Sequence, residues 1–253
     1  MADASRALRR SPDNWKTHRA ACTATKQSRP YIVHVDWDRE TTDEAPWCKP
    51  FLDSISIPYS RTYVLVTDLE GLATVLGHPI RPSAILCSTN ITEGKHAELR
   101  RYLRAYAENG GRLVIGGPVA NYFRLDKVDG MFADLGVNWK MAGYHRTTHS
   151  LNVAHPLFAN LPGTSVARAA LPSTYSCKSV FLKDVPPLDA LYRSTEDSGV
   201  ESLAVALSGG SVKAGEVAVA MGKVGEGWLG YCGDVNQEAG STQATLFMLG
   251  LKA

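Results

Sequence analysis

Several features that define whole classes of protein are absent from this sequence. No apolar run reaches about 18 residues, and no apolar segment follows Met1, so neither a membrane-spanning helix nor a secretory signal is predicted. The formal net charge of the 253 residues is only +2, which indicates no strong attraction to nucleic acid or to an anionic membrane. The 5 cysteines are scattered and odd in number, which favours a reduced, cytoplasmic protein over a disulfide scaffold.

A nucleophile is also absent from a turn that has the form of a nucleophile elbow. A β-rich run at residues 112–115 enters the small-residue turn Gly116-Gly117-Pro118, and a helix is predicted after it. Several classes of α/β enzyme place serine or cysteine at the tip of such a turn, above the sheet. Here the tip is Gly117 or Pro118, and neither residue can attack a substrate. The sequence therefore argues against both a serine hydrolase and a cysteine-dependent glutaminase.

The sequence contains enough apolar residues to form the core of one well-packed domain. Apolar residues make up 44% of the chain and charged residues 21%, which is typical of a globular protein. Residues 1–29 differ from the rest because they are basic and polar and hold most of the positive surplus. We therefore predict a flexible basic N-terminal arm at residues 1–29 and a single domain at residues 30–253.

The fold class follows from apolar runs that alternate with helical patterns. Strands buried on both faces are predicted at residues 31–35, 62–66, 83–87 and 112–115. Helices are predicted between them, at residues 69–76 and 93–109. This alternation predicts an α/β fold, a flavodoxin-like three-layer sandwich with a mostly parallel central sheet. Later in the chain we expect a turn-rich excursion at 137–180, strands at 202–207, 216–221 and 228–232, and a closing helix at 239–251.

Two phrases in the body of the chain carry a family resemblance. They are His155-Pro-Leu-Phe-Ala-Asn-Leu-Pro162 and the closing hairpin Gly222-Lys-Val-Gly-Glu-Gly-Trp-Leu-Gly-Tyr-Cys-Gly-Asp234. With them, residues 30–251 resemble the class I glutamine amidotransferase-like superfamily, and within it the ThuA-like branch. That superfamily has an elbow cysteine and a late His–Glu pair, whereas this chain has Gly117 and no histidine after Cys232. The resemblance implies a fold and a pocket, without glutaminase activity.

The N-terminal arm carries a second, smaller resemblance. Trp15, His18 and Cys22 are spaced as in the last helix of a MYND zinc finger, but Ala4 and Leu8 stand where that family has cysteines. A closed structural zinc site needs four ligands. The arm therefore resembles a degenerate zinc finger, and we predict no metal site in it. A basic disordered arm with a chance Trp-His-Cys pattern is the alternative.

Candidate site residues follow from the rule that ligands bind at the carboxyl ends of parallel strands. Asp36 and Asp234 are candidate catalytic carboxylates at strand ends. The predicted ligand-binding residues at the same edge are Trp37, Ser88, Thr89, Asn90, Gly117, Asn121, Tyr122 and Asn236. The alternative is that these polar residues are helix caps and turns.

Two histidines complete the candidate site. His145 and His149 are predicted to reach over the sheet as general acid–base groups. Metal binding by this pair is an alternative, although the segment resembles a strand or loop more than the helix that such a metal pair uses. A further alternative is that Cys87 acts as a nucleophile. A buried, structural role for this cysteine is the competing interpretation.

Two hypotheses about function remain. The first is a small-molecule-binding, non-covalent acid–base enzyme that acts on an organic metabolite without a cofactor. The second is a non-catalytic binding or scaffolding module, which would form homo-oligomers. An open cavity shared by Asp36, Asn90 and one histidine would favour an enzyme that works at the strand ends, and packed side chains over Gly117 would contradict such an enzyme. We expect neither nucleic acid nor a membrane as partner.

Overall fold

The computed structural model of the protein describes residues 30–37, 46–159, 171–201 and 212–251. The predicted N-terminal arm at residues 1–29 lies outside the described residues. The predicted strand at 202–207 and the last three residues of the 155–162 phrase lie outside them as well.

The first half of the chain builds the parallel part of a nine-stranded sheet, counted over the described residues. Its strands are β1 (Ile32–Val35), β2 (Tyr63–Val66), β3 (Ala84–Cys87) and β4 (Arg112–Ile115). They pair in parallel in the order β2-β1-β3-β4. β1 and β3 are buried along their whole length because helices cover both faces of this part. The four strands predicted from continuous apolar runs are confirmed, with starts that differ by at most one residue.

The second half of the chain builds an antiparallel part that closes on itself. Its strands are β5 (Lys140–Leu151), β6 (Thr174–Lys183), β7 (Ala190–Arg193), β8 (Val217–Val224) and β9 (Gly227–Cys232). β5 pairs with both β6 and β7, and β8 also pairs with both, so these four strands form a small closed barrel. β9 joins the two parts, because it is antiparallel to β8 and parallel to β4.

The predicted flavodoxin-like three-layer sandwich with a mostly parallel sheet is wrong. Within the described residues, five strand pairings are antiparallel, four are parallel, and the antiparallel strands close into the barrel. The prediction extended the pattern of the first 115 residues to the whole chain. It missed β5, whose inward residues include His145, Thr147 and His149. A strand with polar residues on its buried face lacks the apolar alternation by which strands are identified.

Helices pack on both faces of the parallel part. α1 (Lys49–Ser56) and α5 (Ala239–Leu249) cover one face, and α2 (Leu69–Leu76), α3 (Ala97–Glu108) and α4 (Val128–Asp134) cover the other. Successive residues of a strand point to opposite faces, so each face has its own apolar core. Within the described residues, no helix combines the length and apolar character that crossing a membrane requires.

Candidate functional site

The elbow turn exists in the structure, but it is covered. β4 ends at Ile115, and a 3-10 helix spans Gly117–Tyr122, with Gly117 at a φ of 76°. A Cβ atom on Gly117 would lie 2.8 Å from Ser88 Oγ and 3.1 Å from a ring carbon of Phe51. Gly117 and Pro118 are both buried. This packing opposes an enzyme that works at the elbow.

The packing around Gly117 predicts that a side chain at this position destabilises the protein. Gly117→Cys, the change that would supply an elbow thiol, should lower the free energy of unfolding by about 1–3 kcal/mol, because the side chain meets Ser88 and Phe51 and the backbone has a positive φ. Urea denaturation under reducing conditions measures the effect. Gly94→Cys is the matched control, since a Cβ atom there has nothing within 4 Å. Equal losses in the two variants would contradict a covered elbow.

Asp36 lies at the end of β1 beside a thiol and a phenol. Asp36 is 1% exposed. Burial, and then the charge of Asp36, raises the pKa of Cys48 to about 12. Burial, followed by electrostatic interactions with Cys48 and Asp36, also raises the pKa of Tyr122. These effects place Asp36, Cys48 and Tyr122 in one neighbourhood and keep the thiol and the phenol protonated near neutral pH.

The polar residues after β3 hydrogen-bond to the surrounding backbone. Ser88 Oγ donates to the Gly116 carbonyl at 3.1 Å and lies 2.9 Å from His34 Nε2. Thr89 Oγ1 accepts from the Trp37 backbone N–H at 2.9 Å. Asn90 donates to the Tyr122 carbonyl at 2.7 Å. These bonds tie the loops after β1, β3 and β4 together, which is the cap-and-turn alternative of the sequence analysis.

The polar residues near the end of β9 are used in the same way. Asp234 is 1% exposed, and its carboxylate accepts from the backbone N–H groups of Asn236 at 2.8 Å and Glu238 at 2.7 Å. Glu238 stands at the N-terminus of α5, so Asp234 shapes the entry to that helix. Asn121 donates to the Val235 carbonyl at 2.7 Å and so holds the elbow helix against this turn.

Trp37 differs from its neighbours at this edge. Its ring lies edge-on against His96, with 5.2 Å between the ring centroids. The buried indole N–H has no hydrogen-bond partner among the described residues. Cys87, the alternative nucleophile, is buried at the end of β3, with its Sγ 3.9 Å from the Thr89 carbonyl oxygen. The binding role of this edge stays a prediction, while the contacts of its polar groups are mainly those of capping and turn residues.

His149 lies inside the barrel, in aromatic surroundings. Its ring meets the Tyr175 ring edge-on at 4.3 Å between centroids, and its Nε2 lies 3.6 Å from Cys177 Sγ. Burial lowers the pKa of His149 to about 4. Burial, with the charge of Asp234 as the second cause, raises the pKa of Cys177 well above its usual value. Both shifts favour the neutral forms, so this pair does not form the thiolate–imidazolium couple of a cysteine nucleophile.

His145 lies on the same inward face of β5, in contact with a carboxylate. Its Nε2 lies 3.2 Å from Glu216 Oε2, and its ring stacks on Phe181 with 4.5 Å between centroids. His145 is 6% exposed and Glu216 is 7% exposed. Within the described residues, neither of the two facing atoms has a hydrogen bond of good geometry to another group. Buried polar atoms in this state are uncommon and call for an explanation.

The two histidines do not form a shared metal site. Four residues along a strand span about 13 Å, so His145 and His149 lie at different levels of the barrel. Nor does any group of three or more His, Cys, Asp and Glu side chains converge on a metal position in the part of the chain that is described.

A groove of about 260 Å³ opens at the end of the barrel beside Glu216. It is lined by Ala142, Lys183, Asp184 and residues 213–216. The β5–β6 ladder has an irregularity between Met141 and Gly143, so Ala142 sits in a bulge at the groove. Asp184 has a φ of 58°, which is uncommon for a residue other than glycine. Bulges and unusual backbone angles are both enriched next to functional sites.

Glu216 and the two groove lysines are the residues that the sequence analysis missed. Glu216 follows the turn residue Gly215 and immediately precedes β8, and no motif surrounds it. Only the register of the barrel brings it to His145, 71 positions earlier in the chain. His145 was predicted as an acid–base group, but its partner was expected at the parallel strand ends.

No protein-family model matches the chain, and no curated protein sequence matches it significantly. Among solved structures, the chain is similar to a protein described as ThuA-like from Bacteroides uniformis. The TM-score is 0.51 and the identity 14%, over 91% of this chain and 94% of that one. The chain has a ThuA-like fold. A second ThuA-like protein, from Parabacteroides merdae, has a TM-score of 0.48 at 13% identity, over 88% and 89% of the two chains.

A third similar structure is an exo-β-1,4-mannosidase from an Opitutaceae bacterium, with a TM-score of 0.43 and 11% identity over 90% of this chain and 37% of that one. The ThuA-like fold supports the ThuA-like branch of the resemblance stated above. It concerns architecture alone, because a fold does not fix an activity. The wider glutamine amidotransferase superfamily and the degenerate MYND finger stay predictions.

Proposed function

We propose that this ThuA-like protein binds a small organic molecule in the barrel groove and acts on it as a non-covalent acid–base enzyme. The observation that carries the proposal is the buried 3.2 Å contact between His145 and Glu216, with Glu216 also lining the groove. A carboxylate placed between a histidine and a ligand space is the arrangement that a proton relay needs.

The environment of the pair supports a chemical role over a stabilising one. A buried contact between polar or ionisable side chains is a weak source of stability, and apolar residues of similar volume often serve as well or better. The Phe181 ring stacked on His145 leaves the imidazole little freedom to turn away from Glu216. The barrel strands on which the two residues are built hold their geometry fixed, as an acid–base site requires.

The proposed step is proton transfer next to a carbonyl group. Glu216 accepts a proton from the carbon beside the carbonyl, and the electron pair of the broken C–H bond forms an enolate. The proton returns to the same or a neighbouring atom, or exchanges with solvent through His145. No covalent intermediate is required, which agrees with the absence of an elbow nucleophile at Gly117.

The proposal also covers the binding partner of the protein and its location in the cell. The ligand is a small molecule, and neither a nucleic acid nor a membrane is the partner. A groove of about 260 Å³ is near the lower limit for ligand pockets, which favours a small metabolite. A cytoplasmic location is supported by the cysteines of the described residues, which are buried and form no disulfide with one another: Cys48, Cys87, Cys177 and Cys232.

Hydrogen–deuterium exchange tests the reaction. Small neutral ketones and small 2-oxo acids are incubated with the protein in D₂O, and loss of the C–H signal beside the carbonyl is followed by proton NMR. We expect at least one compound to exchange with the wild-type protein and about tenfold or more slowly with Glu216→Gln. Glu226→Gln, an exposed carboxylate in the β8–β9 turn, is the matched control. Absence of protein-dependent exchange, or equal exchange by Glu216→Gln, contradicts the proposal.

A non-catalytic binding or scaffolding module is the second candidate. The observation that favours it is the covered Gly117, together with strand-end polar groups that hydrogen-bond to the backbone. This candidate requires homo-oligomers or a stable ligand complex without exchange. Light scattering on the purified protein measures the oligomeric state, and a monomer that catalyses exchange would exclude it.

A further inference from the structure

We infer that the barrel groove selects small organic molecules with one negative charge, namely monocarboxylates, and that Lys183 and Lys213 hold the carboxylate. This inference rests on the proposed function because it names the substrate class of the same groove.

The charges around the groove do not balance. Asp184 is paired with Lys140 at 3.1 Å, and Glu216 faces His145 at 3.2 Å. Lys183 and Lys213 line the groove, and neither forms an ion pair with any residue in the described part of the chain. Two ammonium groups are therefore available for a ligand.

The total formal charge indicates how many negative charges the ligand carries. In the proposed step Glu216 is a carboxylate and His145 a neutral imidazole, so Lys140, Lys183 and Lys213 contribute three positive charges against two negative charges of Asp184 and Glu216, which leaves one positive charge. A monoanion balances this charge, whereas a dianionic phosphate ester would leave one excess negative charge in the groove. Each lysine contributes a compact point charge with three hydrogen-bond donors, which a carboxylate can accept from.

The strand register places the two lysines and the acid–base pair at different depths. Leu182 of β6 pairs with Val217 of β8, so Lys183 lies one step beyond this pair, opposite Glu216. Lys183 is exposed, whereas Glu216 is buried. A carboxylate held by the lysines at the rim would leave the rest of a short molecule at the base of the groove, toward Glu216. This order fits a short 2-oxo acid, in which only the carbonyl carbon separates the carboxylate from the reacting carbon.

Binding measurements test the inference separately from the reaction. Isothermal titration is carried out with C2 to C4 monocarboxylates, each beside its neutral amide, and with acetonyl phosphate as a dianion. We expect at least one monocarboxylate to bind, its amide to bind about tenfold more weakly, and acetonyl phosphate to bind more weakly than the acid. The double variant Lys183→Gln/Lys213→Gln should weaken binding of the acid about tenfold or more.

The controls separate charge from folding. Lys127→Gln, an exposed lysine outside the groove, should bind the acid as the wild type does. Lys213→Gln alone is measured if the double variant loses its circular dichroism spectrum. No binding across the panel, equal binding of acid and amide, tighter binding of acetonyl phosphate, or unchanged binding by the lysine variants overturns the inference.

Failure of the proposed function gives a different result. If a monocarboxylate binds through the lysines but the wild-type protein exchanges none of its protons, the acid–base reaction fails while the anion site stands. If only neutral ketones exchange, the reaction stands while the anion site fails.

Discussion

Replacing Gly227 with alanine should lower the free energy of unfolding by at least about 3 kcal/mol. A Cβ atom at Gly227 would lie 2.2 Å from the carbonyl oxygens of both Ala107 and Gly111, far inside the contact distance of real Cβ atoms. Both oxygens belong to backbone at the end of α3 and the start of β4, so neither can rotate away. Relief would require the β8–β9 hairpin to move off α3.

Gly130→Ala is the matched control for this prediction. Gly130 lies within α4, and a Cβ atom there has nothing within 4 Å. Alanine is favoured over glycine inside a helix by about 0.5–1 kcal/mol, so the control should be neutral or slightly stabilising. Urea denaturation of both variants measures the difference. A loss below 1 kcal/mol for Gly227→Ala would show that the hairpin is not packed as described.

Acid should destabilise the protein through His149. Burial lowers the pKa of His149 to about 4, whereas an unfolded histidine titrates near 6.5. Between these values the unfolded chain binds the proton and the folded protein does not, so stability falls as the pH falls from about 6.5 to about 4. The expected loss from this one residue between pH 7.5 and 4.5 is about 2.5 kcal/mol.

His149→Phe isolates this effect from other titrating groups. Phenylalanine has a ring that fits the aromatic surroundings of Tyr175 and Tyr192, but it binds no proton. Urea denaturation of wild type and variant is measured at pH 7.5 and pH 4.5, and the variant should lose about 2.5 kcal/mol less than the wild type. The burial of His155 and Asp234 is shared by both proteins and cancels in the difference. Equal losses would mean that His149 is not buried as a neutral ring.

The parallel strands could be predicted from the sequence because strands buried on both faces consist mainly of apolar residues. β1 and β3 are buried on both faces, so their runs contain mainly aliphatic residues that no loop would tolerate. Among the barrel strands, β8 was also predicted, at residues 216–221, whereas β5 has no continuous apolar run. β5 turns His145, Thr147 and His149 inward, and a segment with this composition was taken for turns and short strands.

Some residues of the candidate site could likewise be identified from the sequence, and others could not. His145 was identified because histidine is a common acid–base group, and Gly117 because a nucleophile is absent at a recognisable turn. Glu216 was not identified, since its role depends on a strand register that closes the barrel far from either motif. The strand-end residues, such as Asn90 and Asn121, were identified by position, but their hydrogen bonds are visible only in three dimensions.

By itself, the sequence determined the parallel strands, the absence of an elbow nucleophile and the family resemblance, because each depends on residues adjacent in the chain. Only the tertiary structure decided that Gly117 is covered, that the antiparallel strands close into a barrel, and that His145 meets Glu216. These three facts depend on which distant segments pack together. That packing depends on strand pairing and on the side-chain volumes of the whole domain. Neither can be read from a short stretch of sequence.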